Sequence, residues 1–522
     1  MTRREELLRH SADEPGPWDV VAIGGGATGL GAAVEAASRG YKTLLLERAD
    51  FAKGTSSRST KLVHGGVRYL EQMNVTLVLD ALRERGHMLR NASHLVHDLS
   101  FVVPVFGYLG LPYYGIGLKL YELLSGKLSF GASHLLSREQ TLEMLPGVVG
   151  DGLKGGVLYH DGQFDDARYA VSLMRTLEDL GGIALNYTAV TALLIRRGKV
   201  AGVKVRDVES GVEVEIAAKV VVNATGVFVE EILAMDGEAR GALLSVSQGS
   251  HFVLPGSWLP GGKAMMIPRT SDGRVLFTIP WYGAVVVGTT DEAVDRASVE
   301  PHAMASERRF LIEHIARYFG RRPAKGDVLS VWSGLRPLVK QGGGPTSKLS
   351  RDHTVRVSKT GLVTVTGGKW TTYRRMGEDA VNRAAEVARL PHQASRTLEL
   401  KLHGWTEKSG GVAEHEQVYG SDLPLIQRLS DQDSTLDALL HLRLPYRVRE
   451  VVWAAREEMA RTVEDVLARR TRALFLDARA AMEAAPTVAN VLAKELGRDA
   501  AWKSRQLENF CTVARGYLYE DE

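Results

Sequence analysis

Between Asp19 and Arg48 the chain reads DVVAIGGGATGLGAAVEAASRGYKTLLLER, and no other stretch limits the fold as tightly. Val20 to Ile23 is a short apolar run of β type, Ala27 to Arg39 carries helix formers at helical spacing, and Lys42 to Leu46 is a second β-like run. Gly24, Gly26 and Gly29 sit at the joint between strand and helix, spaced G-x-G-x-x-G. The first permits a tight turn, the second lets backbone approach a pyrophosphate, and the third lets the helix pack closely on the strand. The helix start then offers N–H groups and the positive end of its dipole to phosphate. Glu47, closing the second run, suits ribose hydroxyls and repels a 2′-phosphate. The stretch predicts an α/β unit holding an ADP moiety, without choosing between NAD and FAD.

Two later segments bear on that choice. VVVNATG, Val220 to Gly226, is an apolar strand ending in a turn of small residues, placed for a second approach to the cofactor through Ala224, Thr225 and Gly226. TVTGGKWTTYRRMGEDA, Thr364 to Ala380, is another strand, Gly-Gly turn and helix start. Its dipole end suits the electron-rich edge of a reduced flavin. Two helix starts so far apart in sequence can hold opposite ends of one extended cofactor, which favours FAD. The single cysteine, Cys511, excludes an internal disulfide and a Cys-x-x-Cys pair, so redox chemistry here needs such a cofactor.

The rest of the chain supplies at least one more domain; 522 residues, 44% of them hydrophobic, suffice for two or three cores. From Ala189 to Val222 the apolar pattern has period two, with turns at Arg197-Gly198 and Glu209-Ser210-Gly211, as in a β-meander. Val275 to Asp291 reads as a hairpin, and beyond about Leu390 helical spacing takes over, with Thr462 and Asp465 as a cap and Gly497 as a stop. A net charge of +3 argues against a nucleic-acid partner. With no apolar run of about eighteen residues and no apolar leader in MTRREELLRHSADEPGP, a cytoplasmic chain is expected. Phe106 to Leu124 is apolar and aromatic, and reads either as a buried helix or as a membrane-interfacial segment.

At this point a resemblance enters. KGTSSRSTKLVHGGVRYLE (Lys53 to Glu71), GSHFVLP (Gly249 to Pro255), VVGTTD (Val286 to Asp291), SGLRPL (Ser333 to Leu338) and GGKWTTYR (Gly367 to Arg374) resemble motifs of the FAD-dependent, quinone-linked glycerol-3-phosphate dehydrogenases, in that family's order. The resemblance implies an α/β fold with three parts: a glutathione-reductase-like FAD domain (18–100, 181–235 and 326–390), an antiparallel-sheet substrate cap (101–180 and 236–325) and an all-α C-terminal domain (391–522). Residues 1–17 form an arm with no place in the common pattern. It further implies oxidation of sn-glycerol 3-phosphate to dihydroxyacetone phosphate, with electrons passed to membrane quinone. The implied setting is peripheral, on the inner face of the cell membrane, with an anionic lipid surface as partner and a homodimer left open.

Removing a hydride from a secondary alcohol needs the flavin, a base for the hydroxyl proton, and cations for the phosphate. By resemblance Arg68, Arg336 and Lys369 line the substrate site, with Tyr69 beside them as a phosphate hydrogen bond or as packing. His64 and His251 are the candidate bases, His64 preferred. Thr55, Ser56 and Ser57 offer hydroxyls and N–H groups to the pyrophosphate or ribityl chain. Arg48, Lys61, His64, Gly65, Arg336, Gly368 and Lys369 complete the expected cofactor contacts. Asp165 and Asp166 read as helix caps, and Arg469, Arg470 and Arg472 as a solvated helix face or a lipid-facing patch. Neither zinc spacing nor a calcium loop of the EF-hand type is present, so no metal is expected.

Other readings stay open at this level. Oxygen could replace quinone as acceptor, another small hydroxy or amino acid could replace the substrate, and a non-catalytic nucleotide sensor could keep the fold. The three basic residues argue for a dianionic phosphate and against the sensor.

Overall fold

The computed structural model describes residues 3–66, 75–107, 110–125, 131–237, 243–270, 273–340, 352–407 and 411–520. Its first sheet grows outward from β1 (Trp18–Ile23), which pairs in parallel with β2 (Thr43–Leu46) on one side and with Glu213–Asn223 on the other. Ile183–Leu185 and Val363–Gly367 extend it in parallel at the two flanks. Such strands are covered on both faces, which is why β1 and β2 read as continuous apolar runs. The meander appears as expected, Lys199–Asp207 pairing antiparallel with Thr188–Arg196 on one side and with the start of Glu213–Asn223 on the other.

Helix α2 (Ala27–Ser38) crosses the helix Tyr373–Ala388 at glycine on both sides. A Cβ on Gly377 would lie 2.6 Å from the Gly31 carbonyl carbon, so nothing larger fits. That crossing brings two helix starts, more than three hundred residues apart, to the same side of the sheet.

The second sheet is mostly antiparallel and forms the cap. Leu244–Pro255 pairs with Ala284–Gly288, Glu292–Val294 and Ser330–Val339, while Leu276–Trp281, Ala264–Ile267, Val96–Val105, Gly155–Phe164 and Leu62–Val63 continue it. Four segments fall on the other side of the expected boundaries, one being 96–100, which pairs in the cap sheet as the start of Val96–Val105. Leu62–Val63 and Ser330–Val339 hydrogen-bond into the cap sheet, the latter through a long register with Leu244–Pro255. Conversely the helix Asp166–Asp179 buries Tyr169, Leu173 and Leu177 in the core of the FAD domain, against α2. Helical structure in the C-terminal part begins at Glu414, not at 391; Val448–Glu457, Ala478–Leu496 and Ala500–Arg515 enclose Val451, Phe475, Val488 and Phe510. Gly497 ends its helix at φ 63°, the left-handed cap the sequence indicated.

The arginine cluster overturns its expectation. Arg469, Arg470 and Arg472 are at most 2% exposed, where a solvated face was expected. Arg470 Nη1 lies 2.6 Å from Asp50, Arg469 bridges Asp50, Glu464 and Asp465, and Arg472 lies 3.0 Å from Asp166. Buried charges of this kind persist only when paired. Glu464 and Asp465 stand one turn before Arg469, but Asp50 and Asp166, which seal Arg470 and Arg472, come from distant sequence, so local pattern did not reveal the burial. Asp165 and Asp166 do start their helix, Asp165 accepting from the Ala167 and Arg168 amides.

Candidate active site

The glycine turn does what its spacing demands. Gly24 has φ +111°, and a Cβ there would sit 2.7 Å from the Ala224 carbonyl oxygen. Gly29 packs so closely on the turn that a Cβ would overlap the Gly24 carbonyl. Helix α2 then starts at Gly26 with no side chain capping it, apart from Ser56 Oγ accepting from the Ala27 amide at 2.9 Å. Its start, Gly26 to Thr28, lines a long open cavity. Glu47 stands at the cavity wall, its carboxylate accepting from the Gly25 amide at 2.6 Å and the Ala49 amide at 2.8 Å. Burial pushes its pKa up, and those two amides partly offset the push. A carboxylate has about four lone-pair sites, so two remain for ribose hydroxyls.

Along this cavity lie Gly24, Gly26, Glu47, Arg48, Thr55, Ser56, Ala224, Thr225, Gly226, Gly368 and Lys369. At the far end Gly367 and Gly368 turn at φ +83° and +69°, and Lys369 leads into the second helix start. A groove with a bare helix start at each end, and glycines where a Cβ would intrude, suits one extended dinucleotide with its pyrophosphate on α2.

A second cavity abuts the first and shares Thr55, Pro337, Gly368, Lys369 and Trp370 with it. Its cap-side walls carry His251, Arg336, Thr289 and Asp291, and its loop-side walls carry His64 and Thr60. Arg336 is braced: Nη2 donates to Thr289 Oγ1 at 2.8 Å and to the Thr290 carbonyl at 3.0 Å, and Nη1 lies 3.3 Å from Asp291. Gly249 makes room for it, since a Cβ there would meet Nη2 at 2.2 Å. His251 is 2% exposed, stacks on Trp332 at 3.9 Å, and shares a hydrogen bond from Nε2 to Thr60 Oγ1 at 3.0 Å. Burial, then Lys61 and Arg336, hold its imidazole well below the usual pKa, so it is neutral at physiological pH.

The structure thus gathers His64, His251, Arg336 and Lys369 around one space beside the dinucleotide groove. Arg68 and Tyr69 lie outside the described residues. Four expected cofactor contacts stand elsewhere. Gly29 packs helix on strand, and Gly65 donates its amide to Tyr121 Oη at 2.7 Å. Ser57 is buried, its carbonyl accepting from Lys61 and Arg472. Lys61 corrects its expectation most clearly: its ammonium is sealed 2.8 Å from Asp166 and faces Trp332, not the groove. Arg48 lies at the cavity mouth over the Phe228 ring and 2.8 Å from Glu231, a half-exposed pair.

Sequence reasoning passed over Arg274, Thr60 and Asp291. Asp291 ends the quoted VVGTTD motif and Thr60 lies within KGTSSRSTKLVHGGVRYLE, so their signal was present; Arg274 carried none.

Comparison with known proteins agrees with this geometry. Residues 19–374 match the FAD dependent oxidoreductase family, and residues 360–503 match the C-terminal domain of alpha-glycerophosphate oxidase. The mitochondrial glycerol-3-phosphate dehydrogenase of Macaca fascicularis is 38% identical over 99% of this chain and 75% of its own length. The crystal structure of glycerol-3-phosphate dehydrogenase from Bacillus halodurans, complexed with FAD, superposes with TM-score 0.81 at 28% identity, covering 100% of this chain and 99% of that one. L-alpha-glycerophosphate oxidase from Mycoplasma pneumoniae shares the fold, with TM-score 0.58 at 15% identity, over 74% of this chain and 98% of its own. The chain belongs to the FAD-dependent glycerol-3-phosphate dehydrogenase family, with FAD as its cofactor.

Proposed function

We propose that this chain oxidises sn-glycerol 3-phosphate to dihydroxyacetone phosphate and passes the electrons to a membrane quinone. The observation that carries the reading is the junction of the two cavities at Gly368, Lys369 and Trp370, with Arg336 facing the same space. FAD, when bound, supplies the acceptor for the hydride leaving C2. Gly24, Gly26 and the α2 start would hold its pyrophosphate, Glu47 its ribose, and Thr225, Gly226 and the turn at Gly368 the flavin half.

Arg336 and Lys369 hold the substrate phosphate, Arg336 as a fork already set by Thr289 and Asp291. Anchoring the phosphate also fixes where C2 sits, which is how binding contributes to rate. The hydroxyl proton goes to His64. A proton on His251 is opposed by its burial and by Lys61 and Arg336, so His251 serves as a neutral partner, holding Thr60 Oγ1 at Nε2. Arg68 and Tyr69 join by resemblance alone.

We place the chain on the inner face of the cell membrane, through the helix Gly110–Ser125. Leu118 and Tyr121 point inward, while Ile116 and Leu123 are 72% and 73% exposed and Tyr113 and Leu120 lie on the same outer face. Adjacent Leu135 enlarges the patch. Among the described residues no helix is long and apolar enough to cross a membrane, which makes insertion of one apolar face the available mode. With Arg469, Arg470 and Arg472 buried, salt should weaken vesicle binding little, and Ile116→Glu should weaken it strongly.

The decisive experiment is anaerobic addition of glycerol 3-phosphate to the purified yellow protein. Bleaching of the flavin absorbance is expected; a colour that persists ends the reading. The match of residues 360–503 to an oxidase domain keeps oxygen as a second acceptor. Peroxide formed in air, compared with reduction of a soluble quinone analogue, separates the two.

A further inference from the structure

Helix α1 (Arg3–Asp13) precedes the dinucleotide unit and has no part in the reaction proposed above. It is nonetheless firmly built in. Leu8 is buried in the core under β1 and β2, and the Ser11 carbonyl accepts from Trp18 Nε1 at 3.2 Å. Arg4, near the start of the helix, is 2% exposed. Its guanidinium donates to the Asn186 carbonyl at 2.8 Å, the Tyr187 carbonyl at 2.9 Å and Thr188 Oγ1 at 3.1 Å, and pairs with Asp207 at 2.7 Å.

These acceptors belong to one short crossover, Asn186 to Thr188, and that crossover is part of the cofactor groove. Thr188 and Val190 line it beside Glu47, Arg48 and Ala49. The Tyr187 amide donates to the Ala49 carbonyl at 2.8 Å and the Thr188 amide to the Glu47 carbonyl at 2.7 Å. Tyr187 itself is held at φ 51°, a left-handed conformation unfavourable for a non-glycine residue. From the other side, Asn186 Nδ2 donates to the Met459 carbonyl and Tyr187 Oη to Asp465, so the helical domain grips the same residues. Removing Arg4 would take the charged donor from all four acceptors at once, leaving the Asn186 carbonyl with Thr188 Oγ1, the Tyr187 carbonyl with the Val208 amide and Asp207 with the Glu209 and Ser210 amides.

We propose that α1 is a latch for the cofactor: Arg4 pins the Asn186–Thr188 crossover, which walls the Glu47 end of the groove, and undocking α1 frees that wall and releases FAD. Arg4 is thus a positioning residue, acting on the adenosine end through backbone it does not share. The inference concerns retention of FAD, and a KM measurement keeps it separate from the substrate reading.

The test uses the full-length protein and its Arg4→Ala, Arg4→Lys and Asp207→Asn variants. The readouts are the FAD dissociation constant from flavin fluorescence on dilution, the affinity of flavin-free protein for ADP, and the KM for glycerol 3-phosphate at saturating FAD. Losing charge-assisted hydrogen bonds of about 1.5–3 kcal/mol predicts FAD binding weakened by roughly ten-fold to a hundred-fold in Arg4→Ala. ADP should weaken by a similar factor, KM should hold, and Arg4→Lys should fall between. If Arg4→Ala does not fold, Asp207→Asn decides, with a smaller shift in the same direction. An unchanged FAD dissociation constant, with both flavin-free and loaded protein melting earlier by the same amount, would overturn the latch.

Discussion

Two regions of this molecule use the same side chains to opposite ends. In the substrate crevice Arg336 and Lys369 face a cavity, and Arg336 is about a quarter exposed, leaning on Asp291 at a long 3.3 Å. Behind the dinucleotide loop Lys61, Arg469, Arg470 and Arg472 are sealed, each with a carboxylate at 3.0 Å or less. The contrast lies in the counter-ion. A cation whose carboxylate is in contact is spent on holding elements together; one braced mainly by hydroxyls and a carbonyl keeps its charge for an anion. Asp50 and Asp166 make the sealed network a joint between the dinucleotide loop and the C-terminal helices, so it fixes the residues that line the groove without touching it.

The comparison predicts that damage to the network appears as lost stability and damage to the crevice as lost turnover. Asp50→Ala should have the largest effect. It strips Arg470 of its contact carboxylate and Arg469 of one of three, and breaking a buried pair from one side costs about 3–5 kcal/mol. A much lower yield of folded protein and a markedly lower melting temperature are expected; melting like the wild type would end the claim that this joint is structural.

Arg336→Ala comes next and should leave the melting temperature nearly unchanged. Losing a forked contact to a dianion is worth about 2–3 kcal/mol, so kcat/KM should fall on the order of a hundred-fold, with KM raised and kcat lowered. Unaltered kinetics would remove Arg336 from the site. Asp291→Asn is the finer probe. It keeps the shape but weakens the brace on Nη1, and about a ten-fold rise in KM is expected from a mispositioned fork. If kcat/KM stays at the wild-type value, Thr289 and the Thr290 carbonyl suffice to set Arg336.

How much of this was legible in the sequence follows the same division. The β1–α2–β2 unit, the meander and the Gly367–Gly368 turn were readable because local spacing alone dictates them. Lys61 and the Arg469–Arg472 cluster were misplaced because their partners Asp50 and Asp166 lie elsewhere in the chain, and burial of an arginine is decided by such partners, not by its neighbours. Ser330–Val339 fell inside the range that the resemblance gives to the FAD domain, yet it pairs with Leu244–Pro255, because pairing is set by a strand distant in sequence. Arg274 reaches the crevice only through tertiary packing, so nothing in its local sequence marked it.

The smallest predicted effect asks whether the contrast also holds between two carboxylates of the C-terminal part. Burial pushes both Glu450 and Glu464 up. At Glu464 Arg469 and Lys53 outweigh burial and hold the carboxyl at about 2. Among the described residues Glu450 has the Arg447 amide and Tyr419 Oη as direct partners, and burial pushes it up to about 7. An unfolded glutamate titrates near 4.3, so the two act on stability with opposite sign. Glu464 binds fewer protons folded than unfolded; its contribution is present above about pH 4.3 and is lost as pH falls towards 2. Glu450 binds more when folded; its contribution is present below about pH 4.3 and is lost as pH rises through 7. Melting temperature against pH should therefore lose part of its acid-side drop in Glu464→Gln, and should decline less between pH 5 and 8 in Glu450→Gln. Parallel profiles for the two variants would mean that counter-ions do not set the difference between them, and the contrast drawn for the cations would lose its counterpart among the acids.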